Sequence, residues 1–148
     1  MIETKVCECC GQVIIDYKVT ITRRNVLWLM SLSYLSKTKF IDQDGFVHYS
    51  DVHKFVKSKF DGIVVSSYGT MGSYPWNLIE QCKPNPKFKS NGLWKLTPIG
   101  QDFIYGKIKI VEASYFNHDG CYNYIGEVGL NDLKSCNFKE LVEIFNSF

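Results

Sequence analysis

The sequence predicts an α+β fold, and three observations carry that prediction. Apolar residues recur at helical spacing in several segments of the first hundred residues. Runs of β-branched and aromatic residues flanked by turn formers lie near both ends. The composition, 45% hydrophobic and 22% charged over 148 residues, suits a chain that buries one core, with room for one domain and small appendages.

Val13-Ile14-Ile15-Asp16-Tyr17-Lys18-Val19 begins β-branched and then alternates, as a strand or hairpin arm does. Thr22 is placed to cap a first helix over residues 23–36, with Val26, Leu27, Met30 and Tyr34 inward. Asp42-Gln43-Asp44-Gly45 marks a turn, and Phe46-Val47-His48-Tyr49 a brief strand. Ser50 is the expected cap of a second helix over 51–59, with Val52, Phe55 and Val56 inward. Residues 66–73 are rich in Ser, Gly and Tyr and read as a flexible turn. Pro75 suits the first turn of a third helix over 75–81.

A hairpin is expected next, from Lys87-Phe88-Lys89 through the turn Ser90-Asn91-Gly92 into residues 93–97. Thr97 or Pro98 opens a short helix that ends near Phe103. From Lys107 the pattern changes to two strands about Asn117-His118-Asp119-Gly120. Asn137 and Glu140 form a capping-box pattern for a last amphipathic helix over 138–145. Three parts follow: residues 1–20, 21–106, and a C-terminal β-hairpin plus helix over 107–148 packed on the same body.

Charge is uneven along the chain. Residues 17–106 hold twelve Lys or Arg against six acids, whereas 107–148 hold four against six. A moderately basic middle permits contact with phosphates without requiring it. Aromatic residues at 15% supply apolar area for a core and for a contact surface. The opening MIETKVCECC lacks the cationic-then-apolar order of a secretory leader. The longest apolar run, residues 26–30, is far short of the roughly 20 residues that span a bilayer. A cytoplasmic location is the expectation.

In a reducing compartment close cysteine pairs favour metal over disulfides. Cys7-Glu8-Cys9-Cys10-Gly11 contains Cys-x-x-Cys, whose turn amides point at the two sulfurs and so supply half a structural zinc site. His118-x-x-Cys121 is the best complement and would make Cys3His; Cys9, His48, His53, Cys82 and Cys136 are further donors. A site shared between two chains is the other route to four ligands. Cys82 and Cys136 also fit as small buried hydrophobes.

The order helix, short strand, helix, turn, helix, β-hairpin is that of a winged helix. The chain resembles small bacteriophage proteins with an N-terminal Cys-x-x-Cys-Gly knuckle and a winged-helix body. The matching residues are Cys7-x-x-Cys10-Gly11, Phe46-Val47-His48, Asn77-Leu78-Ile79-Glu80 and Gly92-Leu93-Trp94-Lys95-Leu96-Thr97-x-x-Gly100-x-x-Phe103-x-x-Gly106, covering about residues 5–110. The resemblance implies a winged-helix-like domain with an N-terminal metal knuckle, in a bacterial host cell. It also implies either a DNA-binding regulator or an anti-CRISPR-type inhibitor that docks on a host CRISPR nuclease and blocks its nucleic acid.

Candidate contact residues are Arg23, Arg24, Trp76, Asn77, Gln81, Lys87 and Lys89, with Cys7, Cys10, His118 and Cys121 as zinc ligands. The 75–81 segment departs from a DNA-reading helix, since only Asn77 and Gln81 suit base edges and Glu80 opposes phosphate. No Gly-rich phosphate loop, His-Glu-x-x-His or nucleophile elbow occurs, so a non-enzymatic role is the expectation.

Overall fold

A computed structural model of the chain describes residues 3–6, 13–39, 44–60, 68–83, 92–117, 120–133 and 138–146. These form a mixed α+β fold of four α-helices and two small antiparallel sheets. Strands β1 (Glu3–Val6) and β2 (Val13–Thr20) precede helix α1 (Arg23–Lys37). Strand β3 (Val47–His48) leads directly into α2 (Tyr49–Lys59). A 3-10 turn at Tyr68–Gly72 is followed by β4 (Ile79–Gln81), β5 (Leu93–Leu96) and α3 (Pro98–Ile104). Strands β6 (Ile110–Asn117) and β7 (Gly120–Val128) and helix α4 (Phe138–Asn146) complete the order.

Helix α1 is the axis of the core. Val26, Trp28, Leu29, Met30 and Leu32 have no accessible surface, because α2, α3, α4 and the small sheet all pack around this helix. A helix apolar on every side must be enclosed in this way. Its start is held by Asn25, whose Oδ1 accepts from both the Thr22 backbone N–H and the Thr22 hydroxyl at 2.9 Å.

The smaller sheet has the order β3-β5-β4. Val47 lies opposite Trp94 and His48 opposite Leu93, while Ile79, Glu80 and Gln81 lie opposite Leu96, Lys95 and Trp94. The larger sheet runs β1-β2-β6-β7, so the two N-terminal strands and the C-terminal hairpin share one sheet. Trp76 ties this sheet to the core: its Nε1–H donates to the Val111 carbonyl of β6 at 2.8 Å, and its ring meets Phe116.

Three expectations are corrected. No helix spans 75–81; turns at 73–76 lead into β4. Trp76, Leu78 and Ile79 are all buried, and Asn77 between them is exposed with φ 50°, which a continuing helix excludes. The cap of α2 is His48, two residues before Ser50, with Nδ1 accepting from the Ser50 N–H at 3.2 Å. The partner of β5 on the hairpin side is β4, whereas Lys87, Lys89 and the rest of 84–91 lie outside the described residues.

Two glycines are required by close approach. A Cβ on Gly92 would stand 2.6 Å from His48 Nε2 and 2.8 Å from the Tyr49 ring. A Cβ on Gly100 would collide with the Leu78 carbonyl oxygen. No helix among the described residues is long and apolar enough to cross a membrane.

Candidate nucleic-acid interface

The junction of β3 and α2 gathers aromatic side chains that are far apart in sequence. Tyr49 and His53 are one helical turn apart on α2 and therefore share a face. The 3-10 turn brings Tyr68 against them, and β5 supplies Trp94. Trp28 stacks on Tyr68 at 5.0 Å and 18°, and Tyr68 stacks on Tyr49 at 5.6 Å and 13°. His48 meets Tyr49 at 4.5 Å and 30°. The result is a column running from the fully buried Trp28 to Tyr49, which is 37% exposed, with His48 half-buried beside it.

His53 closes the column edge-on, its ring 5.1 Å from Tyr68 and 5.7 Å from Tyr49. Burial among these rings holds its imidazole below the ordinary value. Burial, and then the neighbouring Tyr49, pushes the Tyr68 phenol above its own. At the base of the column Trp28 Nε1 has no hydrogen-bond partner among the described residues. An unsatisfied buried donor costs about 1–3 kcal/mol, so packing rather than hydrogen bonding sets this ring.

The depressed His53 fixes the sign of a pH effect. Above about 6.5, the free imidazole value, folded and unfolded chains are both neutral there and the cluster's full stability is present. As pH falls through the lowered folded-state value, the unfolded chain holds a proton that the cluster resists, and stability declines. Thermal melts between about pH 8 and pH 5 should show a smaller acid loss for His53→Gln than for the unaltered protein. Parallel losses in the two would contradict this environment for His53.

The chain that leads into this junction is basic in sequence. The chain between Cys82 and Leu96 carries Lys83, Lys87, Lys89 and Lys95 and no carboxylate. Lys83 is exposed at the end of β4, while Lys95 pairs with Glu80 at 3.3 Å and lies over the Phe46 ring. The Tyr49 N–H donates to the Gly92 carbonyl at 2.9 Å, which joins the column directly to the base of this lysine-bearing connection.

The residues singled out from sequence are distributed differently. Arg23 and Arg24 are exposed in the first turn of α1, where the helix dipole disfavours positive charge, so helix stability does not account for them. Trp76 is 2% exposed and belongs to the core, which removes it from any contact surface. Asn77 and Gln81 are exposed, but one sits in a turn whose carbonyl accepts from Thr97 Oγ1 and the other on a strand. Cys7, Cys10, His118, Lys87, Lys89 and the Cys121 side chain lie outside the described residues. Among the described residues no group of His, Cys, Asp and Glu is placed to hold a metal. Cys82 is a buried thiol.

Sequence reasoning missed Tyr49, Tyr68 and Trp94. The four-residue spacing of Tyr49 and His53 was the available signal, but the approach of Tyr68 depends on tertiary packing. Comparison of the chain with protein-family models, curated proteins and solved structures finds no match.

Proposed function

We propose that this protein is a non-enzymatic, winged-helix-like nucleic-acid-binding regulator of phage or mobile-element type. The single observation that favours it is the sheet order β3-β5-β4 on α1 and α2, with the β4-to-β5 connection rich in lysine. In this reading that connection is the wing and meets phosphates, while α1 and α2 form the support. No reading helix fills residues 75–81, so affinity comes mainly from backbone charge and sequence discrimination is weak. Titration of labelled duplex and single-stranded DNA from about 50 to 200 mM salt should give a steep, linear fall in log affinity. No binding of either form at the lowest salt defeats the reading.

Zinc at Cys7 and Cys10 is the second part of the proposal, with His118 and Cys121 completing the site. Strands β1 and β6 run the same way, so Val6, Val13, Asn117 and Gly120 all lie towards one end of the larger sheet. Cys121 is opposite Phe116 and thus level with Tyr17, four positions or about 13 Å short of Val13 along the strand. The Cys7/Cys10 half is therefore the firmer one. About one zinc per chain is expected by elemental analysis; less than roughly half an equivalent rejects the site.

An anti-CRISPR-type inhibitor is the second reading. It is favoured by an exposed aromatic pair: Tyr74 at 60%, edge-on to Tyr124 at 48% on the outer strand β7. Monomers seldom leave such residues together without a partner. Co-elution with a host CRISPR nuclease and loss of its guide binding would support this reading, and failure of both would end it.

A further inference from the structure

We infer that the Tyr49–His48 end of the aromatic column is a stacking site for an unpaired nucleobase, so that the ligand is single-stranded nucleic acid rather than intact duplex. This deepens the proposed nucleic-acid reading and rests on it.

The geometry is that of a stacking platform. Trp28, Tyr68 and Tyr49 lie in near-parallel succession, at interplanar angles of 18° and 13°. Trp28, without accessible surface, anchors the inner end in the core, so the outer ring is held in one orientation before any ligand arrives. Preorganisation matters because a loose aromatic side chain would lose rotamer freedom on binding, and this one has already lost it on folding. The Tyr49 ring is held on its flanks by His53 and by the close approach of Gly92.

The occupant follows from what surrounds the ring. A base offers a π-face to stack and its phosphates offer charge to neutralise. Tyr49 is bonded through its backbone to Gly92, at the end of a segment whose sequence carries three lysines and no acid, and Lys83 is exposed where that segment leaves β4. An apolar protein segment would use the ring but not the charge. A duplex would use the charge but keeps its base faces covered. Single-stranded nucleic acid uses both.

The test uses the full chain and a 20-nucleotide strand of unstructured sequence with one 2-aminopurine, as DNA, as RNA, and annealed as a blunt DNA duplex. Single strands should bind more tightly than duplex at equal salt, and binding should quench the 2-aminopurine by stacking. Tyr49→Leu, which keeps apolar bulk without a π-face, should weaken single-strand binding about tenfold and leave duplex binding unchanged. Tyr49→Phe should keep the affinity.

Duplex binding as tight as single-strand binding, with Tyr49→Leu neutral, overturns the stacking site and leaves the nucleic-acid reading in place. Binding of no form at low salt overturns both. If Tyr49→Leu does not fold, the unaltered protein decides: binding without quenching of 2-aminopurine overturns the site.

Discussion

Replacing Trp76 with alanine is expected to lower stability by about 3–5 kcal/mol, the range for removing a fully enclosed aromatic side chain. The ring is 2% exposed and packs against Phe116. Its indole N–H is also bonded to the Val111 carbonyl, which the substitution would leave without that donor. Trp76 bridges the larger sheet and the helical core, so the loss would loosen β6 together with the segment 73–76. Urea unfolding of Trp76→Ala and Trp76→Phe measures it; the phenylalanine variant retains much of the volume and should lose less. A Trp76→Ala variant of full stability but impaired binding would return this residue to the contact surface.

Gly100→Ala is the second large effect, at about 3 kcal/mol, because the collision is with backbone and not with a movable side chain. The obstructing Leu78 oxygen already accepts from the Thr97 N–H at 3.0 Å, the residue that caps α3. Moving α3 away to admit a methyl group would therefore stretch the bond that positions its own cap. It would also strain the adjoining pair Ile79 and Leu96. Thermal melting should show a clear drop for Gly100→Ala, and a variant melting at the original temperature would disprove the close approach.

Much of the fold was legible because it is written in local chemistry. Thr22 and Thr97 mark the starts of α1 and α3, and the hydrophobic spacing between them sets the helices. The hairpin of β6 and β7 follows from β-branched and aromatic runs about a turn. The segment 75–81 was misread because Pro75 and the nearby apolar residues match a helix start equally well. What decides between strand and helix there is the burial of Trp76, Leu78 and Ile79 against β5 and β6, a property of the assembled core. His48 as a cap was obscured for a different reason: Ser50 is the better capping residue by propensity, but β3 pairing holds His48 extended and starts the helix earlier. The aromatic column joins residues from α1, α2, the 3-10 turn and β5, and no single stretch of sequence carries its pattern.

The pairing of β2 with β6 sets an order on biosynthesis. Tyr17 finds Phe116 and Thr20 finds Ala113, partners separated by roughly a hundred residues of chain. At about 5–20 residues per second, the N-terminal arm leaves the ribosome several seconds before its partner strand exists. Through that interval the second half of β2, Tyr17 to Thr20, must wait without the neighbour that finally covers its edge. Helices α2 and α3 and the small sheet, which enclose most of α1, are made meanwhile, since they lie between residues 21 and 104. The larger sheet can therefore close only once β6 has been made, and α4, which packs on α1, follows it in the chain.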